Sequence, residues 1–303
     1  MSPRNLLMIT LVMLVGCSDK PASNANVDPA ASVDDVQWPL YARDEGETRY
    51  SPLDQINQAN VGELGLAWAL ELGTEKSMEA TPIVVDDVMY FPAAWNVIHA
   101  IDARTGEVLW RYDPQVDRNF MLRVLDTISR GVAVDEGTVY AATLDGRLIA
   151  LNAADGSLLW ETLTIDLDEP YFITGAPRVV NDKVIIGNGG AENLVRGYFS
   201  AYDKRTGEMA WRFYTIPGDP SKPVEHPELE VALKTWTGEW WQNGGGGTVW
   251  DSMAYDAELN QLYVGVGNGG PWQRHVRSPA GGDNLFLSSI LAINPDTGEL
   301  NWH

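Results

Sequence analysis

The chain has 303 residues, 45% of them hydrophobic, with 12 Trp, 11 Tyr and 29 Gly, which is enough apolar material for a large core and too ordered a composition for a disordered protein. Its 42 Asp and Glu outnumber 21 Lys and Arg, a formal charge of -21 that excludes nucleic-acid backbones and anionic lipid surfaces as partners. The single cysteine, Cys17, excludes an internal disulfide, a multi-cysteine zinc site and a haem attached through a Cys-x-x-Cys-His motif within these residues.

Residues 1–16 read as a lipoprotein signal peptide, with Arg4 in a short n-region and an apolar run from residue 6 to 16 that falls short of the ~20 residues a bilayer span needs. The run ends Leu14-Val15-Gly16-Cys17, which resembles the bacterial lipobox and makes Cys17 the candidate lipidated residue; an ordinary secretory signal is the alternative. Residues 17–35, rich in Ser, Ala, Asn and Asp, are expected to form a flexible tether. The expected location is therefore the periplasmic face of a bacterial membrane, reached through a lipid anchor.

From residue 36 onward the chain repeats itself. One eleven-residue phrase occurs as AIDARTGEVLW, ALNAADGSLLW, AYDKRTGEMAW and AINPDTGELNW, starting at 100, 150, 201 and 292. Each phrase predicts a strand, a turn closed by Gly106, Gly156, Gly207 or Gly298 with positive φ, and a second strand ending in Trp. Upstream of each lies another predicted hairpin, turning at Asp86-Asp87, Asp135-Glu136-Gly137, Asn181-Asp182 and Glu258-Leu259-Asn260. Four strands per ~50 residues is a propeller blade, so the fold expected is all-β, with Trp110, Trp160, Trp211 and Trp302 filling the gaps between blades. A partial echo at residues 60–68 is expected to be a strand that closes the ring against a blade beyond His303.

The stretches between the phrases are more specific. They include Trp38-Pro39, Arg49-Tyr50-Ser51-Pro52-Leu53, Glu79-Ala80-Thr81-Pro82, Thr174-Gly175-Ala176-Pro177, Gly189-Gly190-Ala191-Glu192, Thr235-Trp236-Thr237-Gly238-Glu239-Trp240-Trp241, Thr248-Val249-Trp250 and Gly267-Asn268. On these residues the chain, from 38 to 303, resembles the pyrroloquinoline quinone (PQQ) dependent alcohol dehydrogenases. The resemblance implies an eight-bladed β-propeller of which four to five blades are present, with PQQ and calcium as cofactors. Small alcohols are the implied substrates, and a cytochrome c or a quinone the implied electron acceptor. It also assigns residues. Trp250 matches the tryptophan lying flat beneath the quinone, and Thr174 and Thr248 its hydrogen-bonding hydroxyls. Arg130 matches the arginine pairing with quinone oxygens or a carboxylate, and Glu79 a glutamate at the opposite rim. Backbone amides of Gly189, Gly190 and Ala191 are expected to complete the cradle, and Glu192 and Asn268 match two oxygen ligands of calcium. Trp236, Trp240 and Trp241 read as packing for the insertion that widens the last repeat spacing, and the four histidines show no ligand spacing.

Two departures stand out. Val124-Leu125 occupy the place where these enzymes usually carry two adjacent cysteines. The catalytic aspartate of the family lies beyond the phrase ending at Trp302, so the chain is expected to be incomplete and, by itself, inactive. The competing readings are a lipid-anchored, non-catalytic propeller scaffold of the outer-membrane assembly type and a sugar-oxidising quinoprotein. The inserted glycine run with Trp250 and the Glu192/Asn268 pair favour the enzyme, since a scaffold needs neither.

Overall fold

The computed structural model describes residues 36–119 and 126–303. The expected signal peptide, Cys17, the tether and Val124-Leu125 lie outside the described residues.

Four four-stranded antiparallel sheets follow one another along the chain, each in simple up-and-down order. Blade 1 contains β1 (Ile83–Val85), β2 (Val88–Pro92), β3 (Ile98–Asp102) and β4 (Val108–Tyr112). Blade 2 contains β5 (Ala133–Asp135), β6 (Thr138–Ala142), β7 (Arg147–Asn152) and β8 (Leu158–Leu163), and blade 3 β9 (Arg178–Val180), β10 (Lys183–Gly187), β11 (Tyr198–Asp203) and β12 (Met209–Tyr214). After the short helix α1 (Glu228–Leu233) and β13 (Gly245–Gly246) come β14 (Met253–Asp256) and β15 (Gln261–Gly265) of blade 4. Then β16 (Gly269–Gly270) pairs with β13, α2 (Arg274–Arg277) follows, and β17 (Ile290–Ile293) and β18 (Leu300–Trp302) complete the blade. The expected propeller architecture is present, and every anticipated hairpin is found. The insertion in the last repeat is divided in two, one part before β14 and one between β15 and β17.

The strands are apolar on both faces because each blade packs on both sides. In β10, Ile185 enters the core shared with blade 4, while its neighbours Val184 and Ile186 enter the core shared with blade 2. The same alternation places Val139 and Ala141 of β6 toward blade 1, and Tyr140 and Ala142 toward blade 3.

The repeated phrase has a mechanical reading. Its first residue, Ala100, Ala150, Ala201 or Ala292, pairs across the hairpin with the Trp that ends it, and in all four hairpins the register shifts immediately after that alanine. The indole then reaches the next blade. Trp110 Nε1 donates to the Ala153 carbonyl (2.8 Å), Trp160 to that of Lys204 (3.1 Å) and Trp211 to that of Pro295 (2.9 Å). Each ring covers the turn glycine there: a Cβ on Gly156 would sit 2.6 Å from Trp110, and one on Gly298 2.7 Å from Trp211. Trp68 begins the series, donating to the Ala103 carbonyl (3.1 Å) and covering Gly106. The strand expected around it has no partner among the described residues. Val61–Glu63 is a 3-10 turn, and residues 64–72 pair with no strand among the described residues, which leaves Leu64 and Leu66 exposed.

Up-and-down order puts the β1–β2 and β3–β4 type turns at one end of the blades. The other end carries the links between blades and the loops between second and third strands. Arg130, Thr174, Gly189, Glu192, Trp250 and Asn268 all lie in segments of that second end.

Candidate functional site

The links between blades are stitched together around the axis. The Thr81 amide donates to the Arg130 carbonyl (2.9 Å), and the Arg130 amide to the Thr174 carbonyl (2.9 Å), so the approaches to blades 1, 2 and 3 run side by side. Further round, the residues 244–247 thread between two other segments. A Cβ on Gly244 would lie 2.2 Å from the Leu194 carbonyl oxygen, and one on Gly246 2.3 Å from the Gly270 nitrogen. All four glycines have φ between 69° and 84°, a region closed to most side chains. The glycine run is thus what allows Thr248 and Trp250 to reach the axis. Gly247 donates to Asn268 (2.8 Å) and Gly267 to Thr248 (3.0 Å), fixing the last inserted segment against them.

These segments enclose a cavity of about 220 Å³ lined by Asp126, Ile128, Arg130, Phe172, Thr174, Gly189, Gly190, Glu192, Thr248 and Trp250. Seven of these are residues the sequence singled out. The Trp250 side chain is 44% exposed and presents its face, with Arg130 Cζ 4.8 Å from the ring centroid. Arg130 Nη1 donates to Thr174 Oγ1 (2.6 Å), and the hydroxyl-bearing Thr174 and Thr248 are otherwise buried.

Four expected placements differ. Glu79 does not face Arg130 across the cavity; its Oε2 is 3.3 Å from Arg130 Nη2, an ion pair on one rim. The Gly189 amide donates to the Phe172 carbonyl (2.8 Å), so this donor is used within the protein. Ala191 is buried outside the cavity, and Asn268 also lies off its wall, with its side-chain amide donating to the Gly269 carbonyl (3.2 Å). Asn268 nonetheless precedes β16, where a Cβ on Gly270 would lie 2.5 Å from the Ala191 carbonyl oxygen, so its segment packs directly on the turn carrying Glu192.

Asp126 and Phe172 line the cavity and were not singled out. Hydrogen bonds from the Ser77 hydroxyl and the Thr127 amide hold the Asp126 carboxyl below its ordinary range. Its signal in sequence was its place four residues before Arg130. Phe172 is held by an isolated bridge to Gly189 that no local pattern announces.

The donor set suits a flat, polyanionic, aromatic ligand: an open indole face, a guanidinium and two hydroxyls. Among the described residues no group of three or more His, Cys, Asp or Glu is placed to hold a metal, and Glu192 with Asn268 would supply only two of the about six to eight oxygens calcium takes. Trp236 and Trp240 are buried in the insertion against Ile216, as packing requires.

Residues 38–303 match the family described as "PQQ: Glucose/ethanol/alcohol dehydrogenase, beta-propeller domain". The chain is 55% identical over 303 residues to quinohemoprotein alcohol dehydrogenase ADH IIB of Pseudomonas putida, covering 98% of this chain and 44% of that protein. It is 48% identical to a 1-butanol dehydrogenase (cytochrome c) of Thauera butanivorans, covering 88% of this chain and 39% of that one. The crystal structure of quinohemoprotein alcohol dehydrogenase from Comamonas testosteroni superposes with a TM-score of 0.86 at 56% identity, covering 88% of this chain and 40% of that chain. The chain thus spans less than half the length of the curated relatives it matches. With the blades, the docking tryptophans and the axial cavity in place, this chain belongs to the PQQ-containing glucose/ethanol/alcohol dehydrogenase β-propeller family.

Proposed function

We propose that the cavity between Trp250 and Arg130 binds PQQ, and that the whole protein oxidises small alcohols. The observation that carries this reading is the convergence of Arg130, Thr174, Gly189, Gly190, Glu192, Thr248 and Trp250, from four separate segments, on one axial cavity. When bound, PQQ supplies an electrophilic quinone that accepts a hydride from the alcohol carbon. Trp250 offers the flat apolar face on which a tricycle stacks, and the Thr174 and Thr248 hydroxyls fix its rotation. Arg130 offers a cation to a carboxylate, while Glu79 keeps the guanidinium directed along the rim.

The electrostatics of the wall support a bound cation as well. Among the described residues lining the cavity there are two carboxylates, Asp126 and Glu192, and one cation, Arg130, which is paired with Glu79. A metal ion would offset these two carboxylates toward a bound tricarboxylate, and we assign Glu192 and Asn268 as its protein donors, with calcium as the ion. We further propose a cytochrome as electron acceptor, as in the relative whose name includes one. Residues 1–16 act in this reading as a lipoprotein signal, with Cys17 lipidated at the periplasmic membrane face; mass analysis of the mature N-terminus decides this, an unmodified Cys17 overturning it.

The test is a titration of the whole protein with PQQ, with and without calcium, followed by indole quenching, together with alcohol- and glucose-dependent dye reduction. Saturable, calcium-dependent quenching and reduction by alcohols are expected. Quenching that does not saturate removes the cofactor reading, and reduction by glucose alone removes the alcohol.

A further inference from the structure

Trp250 stands on a stretch with no helix or strand of its own. β13 ends at Gly246, β14 begins at Met253, and Ser252 between them has φ 63°. Backbone hydrogen bonds secure Gly247 and Thr248, as described above. Beyond Thr248 the support passes to side chains.

Asp251 joins a cluster built from distant parts of the chain. Its Oδ2 accepts a hydrogen bond from the Tyr41 hydroxyl (3.4 Å), and its Oδ1 is 3.8 Å from Arg178 Nη2. That Oδ1 is buried and accepts no hydrogen bond among the described residues, so the guanidinium charge is its compensation. Arg178, the first residue of β9, is itself only 13% exposed. Its Nη1 donates to the Ala176 carbonyl (2.9 Å) and its Nε to the Met253 carbonyl (3.2 Å), tying backbone on both sides of the blade 3–blade 4 seam. Its Cζ lies 4.2 Å from the Tyr41 ring centroid. Burial lowers the Arg178 pKa, and the Asp251 carboxylate opposes that shift. On the backbone side, a Cβ on Gly175 would lie 2.7 Å from the Trp250 carbonyl oxygen, so the stretch is pressed against the approach to β9 as well.

Charge also joins blades elsewhere, through Lys204 with Asp135 and Glu136 and through Arg130 with Glu79, but in those pairs the carboxylate is more exposed than Asp251. The first residues of the inner strands in blades 1, 2 and 4 are Ile83, Ala133 and Met253. An ion pair sunk between blades is no better a joint than apolar packing, because desolvation consumes most of its attraction. What it adds is direction: a fork of donors and a carboxylate fix one geometry where oily contacts allow several. The Arg178–Asp251 pair, with both side chains largely buried, is the one adjoining Trp250.

We propose that Arg178, Asp251 and Tyr41 are positioning residues that hold Trp250 in the orientation on which the cofactor stacks; this rests on the PQQ reading of the cavity. They touch neither cofactor nor substrate and act through the backbone of residues 250–253.

The test uses the whole protein with Arg178→Met, Arg178→Lys and Tyr41→Phe. Three quantities are measured: PQQ affinity from indole quenching, the absorption spectrum of bound PQQ, and amide hydrogen exchange of residues 247–252 without cofactor. Arg178→Met is expected to weaken PQQ binding by about tenfold, shift the spectrum of what binds, and speed exchange in 247–252 while leaving β2 and β3 unchanged. Arg178→Lys is expected to recover part of the affinity, and Tyr41→Phe, which keeps the ring and removes one hydrogen bond, to lose about threefold. An Arg178→Met protein that melts earlier yet binds PQQ within about twofold of the parent, with an unchanged spectrum, overturns the proposal and leaves a purely structural role. If Arg178→Met does not fold, Tyr41→Phe decides by the same criteria. If the parent protein itself binds no PQQ, the cavity reading fails, and unchanged exchange in 247–252 would separately show that Arg178 does not hold that segment.

Discussion

The rim of the blades and their axial end are built by opposite rules. At the rim, one solution recurs: an indole from one blade lies on the turn glycine of the next and donates to a carbonyl three residues before it. At the axial end the backbone stitch between the approaches to blades 1, 2 and 3 recurs, but the side chains do not. Arg130, Thr174, Glu192 and Trp250 each come from a segment of different length and sequence. Repetition supplies the frame, and chemistry is placed where repetition stops, which is why a substitution at the rim and one at the axis should separate stability from binding.

The largest effect is expected at the rim. Gly156 has φ 72°, and its missing Cβ would sit 2.6 Å from Trp110. Gly156→Ala therefore combines backbone strain with a clash against a buried ring, and should lower stability by about 3 kcal/mol in thermal or urea unfolding. A loss as small as that of an ordinary surface change would show that the indole can shift away. Trp250→Ala should behave in the reverse manner. Its ring is 44% exposed, so stability should fall by less than about 1 kcal/mol. PQQ affinity should fall by about tenfold or more, and a large loss of stability would place Trp250 with the rim tryptophans instead.

The smallest effect distinguishes one blade from the next. The phrase's third residue caps its turn with a side-chain oxygen: Asp102 and Asp203 each accept two backbone amides, while Asn152 and Asn294 each accept one. The Thr105 and Arg104 amides hold the Asp102 carboxyl below its ordinary range, and those of Thr206 and Arg205 do so for Asp203. A carboxyl depressed in the folded state contributes stability that is present above the unfolded aspartate value of about 3.9 and is lost as pH falls through the folded value. The melting temperature of a protein with both Asp102→Asn and Asp203→Asn should thus fall less steeply below about pH 4 than that of the parent. Parallel curves would show that these turns do not sense pH.

The rim was legible because each phrase position does one job within eleven residues. Alanine faces the tryptophan across the hairpin, Asp or Asn caps the turn, and glycine takes the positive φ beneath the neighbouring ring. The axial residues were legible in part. Gly244–Gly247 announces backbone contact by composition alone, and Trp250 follows it. Glu79, Gly189, Ala191 and Asn268 were placed less well, because what decides their position is the partner they find: Arg130, the Phe172 carbonyl, the interior and the Gly269 carbonyl. The Tyr41–Asp251 contact spans 210 residues, and no spacing rule reaches that far. The segment around Trp68 illustrates both sides, since its docking ring follows the phrase while its backbone, unpaired, does not become a strand.

The docking contacts also carry an order in time. Each of these docking indoles lies earlier in the chain than the glycine it covers, so during synthesis each ring stays bare until later sequence can cover it. The waits are unequal: 35 residues separate Trp68 from its acceptor, 43 and 44 separate Trp110 and Trp160 from theirs, and 84 separate Trp211 from Pro295. Closing the longest of these loops costs only slightly more entropy, but synthesis must run about twice as far before it can close. The interval in which blade 3 is finished and blade 4 is not is therefore the longest during which a docking ring waits for its acceptor, and it is opened by the same insertions that bring Trp250 to the axis.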